Sequence, residues 1–355
     1  MAVPKPQIEA VLSVPPLNVT EPREVRHVLV DEALKAGRFG GCYNVVLYYM
    51  KLNEEDNGLF LAGRIVESLG KSLLEKPILA GRLHRKENGD TEFQLVPNDS
   101  GIRLLEARIP MTLSEFLELN ANNDLEPELV FWKDIDEQTP EYSPLFYIQV
   151  TKFQCGGYTI GISCSLLVSE NLLVDNFLGK WTDMHNKMLP PNEMTKTPIF
   201  YPPGLVSYES PPTEIITRTP SRNGAPSMVF KITAEDANFN KELAMLCVEE
   251  AEQRLGRKMG SEFSLFVKQS SEDIKVEDCS NGICSEHVSE LKKKITPTTW
   301  EDFGVYEVAF HEGNKPVHVS RWIGSVSEGN VIAIPYPKEG VSAVVIVTLP
   351  IENGL

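Results

Sequence analysis

SPLFYIQVTKFQCGGYTIGISCS, residues 143–165, contains the strongest β-hairpin signal in this chain. Residues 145–153 and 158–165 are rich in β-branched and aromatic side chains, which favour strands. The sequence CGG at 155–157 separates the two runs and predicts the turn of a hairpin. Because the second run is almost entirely apolar or small, we expect that strand to be buried.

Helix and strand signals alternate upstream of this hairpin. Residues 43–52 have the composition of a strand, and apolar residues at three- and four-residue steps over 59–74 indicate an amphipathic helix. Polar residues at 53–58 predict the turn between them. Further predicted elements are strands at 93–96 and 102–107, joined by a turn at 98–101, and a short helix at 113–119. This alternation favours an α/β fold.

Prolines change the pattern downstream. A helix is predicted at 172–188, and nine prolines then fall between positions 190 and 226. Proline disfavours both helices and central strands, so we interpret 190–226 as a linker between an N-terminal domain, 1–189, and a C-terminal domain, 227–355. Elements predicted beyond the linker are a strand at 228–232, a helix at 236–255, a strand at 263–267, a charged helix at 285–295 and strands at 306–310, 317–322, 331–335 and 341–349.

Charge and hydropathy disfavour several function classes. The 355 residues include 34 basic and 50 acidic side chains, a net charge of −16, which disfavours unaided binding to nucleic acid or to an anionic membrane. No apolar run reaches the roughly 18 residues of a membrane span. The first residues lack a signal-peptide pattern. We therefore expect a monomeric cytoplasmic protein.

Cysteine and motif patterns add little chemistry. The six cysteines are expected to be buried thiols. Cys279, Cys284 and His287 form the only cluster resembling a metal site, but it lacks a fourth ligand, so we expect no metal. There is no phosphate-binding glycine loop, His-Glu-x-x-His motif or Gly-x-Ser-x-Gly elbow. On the residues alone, the activity stays open.

Several blocks resemble the plant BAHD acyltransferases. They are SPLFYIQVTKFQCGG at 143–157, PILAGRL at 77–83, NDSG at 98–101, VYEV at 305–308 and KP at 315–316. The resemblance implies two chloramphenicol-acetyltransferase-like domains joined by a crossover at the proline-rich linker, and acyl transfer from coenzyme A to an alcohol or amine. Acyl-CoA would be a substrate, and no resident cofactor is expected. The second domain looks shortened after Ile232.

The match to the family breaks at the catalytic motif. The family carries His-x-x-x-Asp-Gly, whose histidine is the general base that deprotonates the acceptor. Alignment of GISCS at 161–165 puts Leu166 at the histidine, Glu170 at the aspartate and Asn171 at the glycine. Leucine accepts no proton, and from its position Glu170 could keep only the structural ion pair of the aspartate. We therefore assign no catalytic residue at these three positions.

The family's second signature, Asp-Phe-Gly-Trp-Gly, is also eroded. The corresponding residues are AFHEG at 309–313, which makes His311 the remaining candidate for a substitute base. In the family this loop lies away from the reacting atoms, and the residues that would bind coenzyme A stay unassigned.

Within the family, the degenerate pattern resembles the eceriferum-type group. Members of that group act with the condensing enzyme of fatty-acid elongation at the endoplasmic reticulum and promote very-long-chain products for cuticular wax. The resemblance implies a non-catalytic accessory that reaches the endoplasmic reticulum through that enzyme. Two alternatives stay open: an acyl-CoA-dependent O- or N-acyltransferase with His311 or Glu170 as a displaced base, and a repurposed pocket with lyase-type chemistry on a small carboxylate.

Overall fold

The structure is a computed structural model that describes residues 4–31, 37–51, 61–86, 91–121, 123–188, 225–233, 239–269, 273–280, 292–303, 307–311, 313–324, 328–338 and 340–350. Within these ranges the strands are β1 (Gln7–Val14), β2 (Arg26–Val30), β3 (Cys42–Tyr49), β4 (Arg82–Arg85), β5 (Glu92–Val96), β6 (Ile102–Ile109), β7 (Phe146–Phe153), β8 (Tyr158–Ser165), β9 (Ser227–Ile232), β10 (Glu262–Lys268), β11 (Ile274–Ser280), β12 (Ile295–Thr298), β13 (His318–Gly324), β14 (Asn330–Lys338) and β15 (Val341–Thr348). The helices are α1 (Leu61–Ser72), α2 (Leu113–Asn120), α3 (Glu170–Leu173), α4 (Phe177–Lys187) and α5 (Lys241–Leu255).

The described strands form two mixed sheets, which makes this an α/β fold. One sheet has the order β1-β6-β7-β8-β3-β13 and the other β12-β9-β15-β14-β10-β11-β2-β5-β4. Both sheets take strands from both halves of the chain, because β13 pairs with β3 and β2 pairs with β11. The predicted linker lies almost wholly outside the described residues, and the domain boundaries at 189/190 and 226/227 stay predictions.

The predicted hairpin is confirmed and forms the centre of the first sheet. β7 and β8 pair antiparallel, and β3 pairs with the other edge of β8. Every residue of β3 and of β8 is buried, as the apolar composition of the second run led us to expect. Position 161 of β8 requires glycine for a steric reason, because a Cβ there would overlap the carbonyl oxygen of Leu129. The chain that carries Leu129 therefore lies directly against the backbone of β8.

The predicted helix over 172–188 is wrong in its first part. The chain forms the short α3, and α4 begins only at Phe177. Between them Asn176 has a φ of 52°, a left-handed conformation that asparagine tolerates better than most residues and that a helix cannot contain. The apolar residues across 172–188 that predicted one helix therefore belong to two separate helices, α3 and α4.

Other differences from prediction concern short or charged segments. The predicted strands at 93–96 and 102–107 are present as β5 and β6, but they lie in different sheets. Residues 307–310 form a loop rather than a strand, and its backbone is bound by side chains: Tyr49 donates a hydrogen bond to the Val308 carbonyl at 2.7 Å and Asn186 to that of Ala309 at 2.7 Å. Ile295 begins β12 rather than ending a helix.

Some predictions lie outside the described residues, and some observed strands were not predicted. The turn at 53–58 and most of the charged helix at 285–295 are outside the described ranges. The unpredicted strands are β1, β2, β4, β11 and β12. Several of these alternate charged with apolar residues over a short length, which is a weak strand signal in a single sequence.

Candidate functional site

Leu166 lies in a tight turn that follows the last residue of β8. Its backbone N–H donates a hydrogen bond to the carbonyl of Gly41, just before β3, at 3.3 Å. Its side chain is 2% exposed, and a Cβ on Gly41 would lie 2.6 Å from Leu166 Cδ1. The leucine therefore packs tightly against the start of β3. The side chain at the position of the family's general base is hydrocarbon.

Glu170 begins α3, and its carboxylate is bound by two cations from different elements. Arg26 of β2 lies 2.5 Å from Oε1, and Lys268 of β10 forms an ion pair with Oε2. The Lys268 amine also donates a hydrogen bond to the Leu167 carbonyl at 2.7 Å. Burial and the nearby charge of Arg26 lower the pKa of Lys268. The carboxylate thus joins the turn after β8 to two strands of the second sheet.

Asn171 stabilises the same turn from within the core. Its Nδ2 donates hydrogen bonds to the Val168 carbonyl at 2.8 Å and to Glu170 Oε1 at 3.0 Å. Oδ1 of Asn171 is buried and has no hydrogen-bond partner in the described part of the chain. Oε1 of Glu170 thus accepts hydrogen bonds from Arg26 and Asn171, and Oε2 accepts one from Lys268. This carboxylate is therefore poorly placed to take a proton from a substrate.

His311 lies at the opposite end of β3 from Leu166. The adjacent Phe310 is fully buried, and its ring meets those of Tyr49 and Trp181 at centroid distances of 6.1 and 4.7 Å. β3 extends from beside Leu166 to Tyr49. At 3.3 Å per residue, the length of this strand separates Leu166 from the loop that carries Phe310 and His311 by about 25 Å. Leu166, Glu170 and Asn171 are together, and His311 is not with them.

His185 is a buried titratable group that the sequence did not single out. Its Nδ1 lies 2.9 Å from Oγ of Ser68, which joins α4 to α1. Burial, with the charges of His311 and Arg64, lowers the pKa of His185 to about 4. The imidazole is therefore neutral at pH 7, and its contact with Ser68 supports the packing of α4 on α1.

A cavity of about 200 Å³ lies beside Glu170. Its walls come from β2, from the segment around α3, and from β10, β11 and β14. The lining residues are Arg26, Glu170, Val174, Asp175, Lys268, Gln269, Asp273, Ile274, Ile334 and Pro335. Arg26 and Lys268 were not identified from the sequence. The only feature that could have indicated a role for them is the position of a basic residue at the end of a mostly apolar strand: Arg26 begins β2 and Lys268 ends β10.

The described residues contain neither a cluster of metal ligands nor a membrane-spanning helix. Cys279 is buried in β11, and Cys284 and His287 lie outside the described ranges. No group of three potential ligands among His, Cys, Asp and Glu comes together in the part that is described. Within the same ranges, no helix has both the length and the apolar character needed to cross a membrane.

Comparison with known proteins identifies the family. A profile of the Transferase family matches residues 39–254. The chain is 30% identical over 105 residues to Protein ECERIFERUM 26-like of Arabidopsis thaliana, covering 30% of this chain and 24% of that protein. It is 30% identical over 152 residues to Anthranilate N-benzoyltransferase protein 3 of Dianthus caryophyllus, covering 41% of this chain and 33% of that protein. The crystal structure of vinorine synthase aligns with 98% of this chain and 95% of that chain, at 15% identity and a TM-score of 0.46.

The matched region extends from Phe39 into α5 and includes Leu166, Glu170 and Asn171. The chain belongs to the Transferase family, the BAHD acyltransferases. This confirms the family resemblance found in the sequence motifs. The matching stretches span about a quarter to a third of the length of the two curated relatives.

Proposed function

We propose that this chain is a non-catalytic member of the BAHD family that acts as an accessory of very-long-chain fatty-acid elongation in cuticular wax synthesis. The observation that carries the proposal is the packing of Leu166 against Gly41. Acyl transfer to an alcohol or amine needs a proton acceptor within about 2.6–3.2 Å of the acceptor atom. At this position the chain offers a buried hydrocarbon side chain.

The two substitute bases considered from the sequence are poorly placed for that role. Both oxygens of Glu170 are bound by Arg26, Asn171 and Lys268. His311 follows Phe310 at the far end of β3, about 25 Å along the strand from Leu166. These placements favour the accessory role over an acyltransferase with a displaced base.

The partner in this proposal is the condensing enzyme of the elongase. The similarity to Protein ECERIFERUM 26-like supports membership of the eceriferum-type group. Action with that enzyme at the endoplasmic reticulum is what the resemblance to the group implies. A net charge of −16 opposes direct adsorption to an anionic membrane, so the condensing enzyme would supply the membrane contact. We further propose that the chain forms two chloramphenicol-acetyltransferase-like domains joined by the proline-rich linker. The condensing enzyme would dock on the surface of these domains.

Co-expression with a plant condensing enzyme in yeast tests the accessory role. We expect the two proteins to co-purify and the acyl products, measured by gas chromatography, to become longer than with the condensing enzyme alone. Leu166→Met keeps an apolar side chain of similar volume, and His311→Ala removes the candidate base, so both variants should retain the full effect. Absence of association together with unchanged product length would contradict the proposal.

A second assay tests the acyltransferase alternative directly. The purified chain is incubated with acyl-CoAs of several lengths and with alcohol and amine acceptors, and released coenzyme A is measured. We expect no release above the rate without protein. Turnover that His311→Ala abolishes would establish an enzyme and overturn the accessory role.

A further inference from the structure

The cavity beside Glu170 has an uneven distribution of charge with depth. Lys268 is 5% exposed and Arg26 is 20% exposed, and these two cations share the single carboxylate of Glu170. The inner wall of the cavity therefore carries one more positive than negative charge. The Lys268 amine donates hydrogen bonds to Glu170 and to the Leu167 carbonyl, so one of its three N–H donors has no acceptor among these groups.

The rim of the cavity has the opposite balance. Asp175 is 32% exposed and is neutralised by Lys76 at 2.5 Å. Asp273 is half-buried and forms no ion pair with any residue that the structure describes. Among the described lining residues, the rim therefore carries one more negative than positive charge. The two unbalanced charges lie on different parts of one small cavity wall.

We propose that this cavity binds a small zwitterionic α-amino acid with an aliphatic side chain. The ligand carboxylate would take the leftover donors of Arg26 and Lys268, and its ammonium group would face Asp273. Such a ligand balances both charges at once, whereas a simple anion would meet Asp273 and a simple cation would meet Arg26 and Lys268. The inference does not depend on the accessory role.

Size and lining restrict the side chain of the ligand. A volume of about 200 Å³ is the space of about seven water molecules, so the ligand is small. Val174, Ile274 and Ile334 contribute apolar wall, and Pro335 lies next to them. Methyl groups placed against this wall gain affinity through burial. We therefore expect affinity to increase from glycine to L-alanine to L-valine.

Isothermal titration of the purified full chain tests the inference with defined probes. They are L-valine, isovalerate, which lacks only the ammonium group, and isobutylamine, which lacks only the carboxylate. We expect saturable binding of L-valine, with each isostere weaker by about tenfold or more because a charged group of the cavity loses its partner. Equal affinity for L-valine and either isostere overturns the proposal, as does the absence of saturable heat with all three amino acids.

Variants separate the two ends of the ligand. Asp273→Asn lies at the rim, away from the packed core, and should weaken L-valine by about tenfold while leaving isovalerate unchanged or tighter. Lys268→Met should abolish binding of L-valine, with the urea unfolding midpoint showing that the variant is folded. Glu301→Gln removes an exposed acid outside the cavity and should leave the affinity unchanged. An unchanged affinity for L-valine in Asp273→Asn contradicts the assigned orientation and with it the proposal.

Discussion

Removal of the charge on Glu170 should destabilise the fold more than removal of any exposed acid. Glu170→Gln keeps the shape of the side chain and an acceptor oxygen, but it leaves the buried Lys268 and the partly buried Arg26 without a counter-charge. Breaking a fully buried pair in this way costs about 3–5 kcal/mol. Arg26 is 20% exposed and stays partly solvated, so we expect a loss near the lower end, about 3 kcal/mol.

Urea unfolding at pH 7, followed by tryptophan fluorescence, measures this loss. The buried Trp132 and Trp181 report on the core of the molecule. The matched control is Glu92→Gln, which breaks the Lys86–Glu92 pair whose side chains are 43% and 48% exposed. This control should leave the urea unfolding midpoint almost unchanged, because water already screens an exposed pair.

A double variant tests the cause of the loss. In Glu170→Gln with Lys268→Met the second cation is also removed, so the combined loss should be smaller than the sum of the two single losses. Two results would refute the reasoning: a Glu170→Gln loss as small as that of Glu92→Gln, or strictly additive losses in the double variant. Either would mean that water already screens the two cations.

Three further predictions concern packing and protonation. Folding lowers the pKa of His185 from 6.5 to about 4, so the stability that the neutral ring contributes is complete above pH 6.5 and is lost as the pH falls. Between pH 7.5 and pH 5, the free energy of unfolding in urea should therefore fall by about 2 kcal/mol more in the natural chain than in His185→Phe. Gly161→Ala should lower the free energy of unfolding by at least about 2 kcal/mol, because its methyl group meets the Leu129 carbonyl. Phe310→Ala should cost about 3–5 kcal/mol by thermal or urea unfolding, because its ring is fully buried against Trp181. A flat difference with pH, or losses below 1 kcal/mol for the two packing variants, would contradict these assignments.

The elements that the sequence predicted well are those with strong local signals. The β7–β8 hairpin, β3, β14 and β15 are confirmed because each contains an apolar run with turn residues at its ends. The helix α2 is confirmed because Leu113 and Phe116 are spaced to share one buried helix face. The break at Asn176 was missed because it depends on one left-handed residue within continuous apolar spacing. Sequence periodicity reports which face of an element is buried, and it reports a change of direction only where Gly or Pro marks it.

The candidate site was only half accessible to sequence reasoning. The loss of a proton acceptor at Leu166 is visible in the motif alone, and the ion pair at Glu170 was expected from the aspartate that it replaces. Its partners were not identified, because Arg26 and Lys268 are 144 and 98 positions away along the chain. The cavity could not be predicted either, because five separate elements meet to form it.

The pairing of β13 with β3 has a consequence for how the molecule is made in the cell. β3 leaves the ribosome early, and the strand that covers its edge follows some 270 residues later, with His318 opposite Tyr48. At usual rates of translation this delay is roughly 15 to 50 seconds. During that time an eight-residue strand that is wholly buried in the folded state has an open edge in the nascent chain. Chaperone binding during synthesis, or low yield when the first half is expressed alone, would follow from this one strand order.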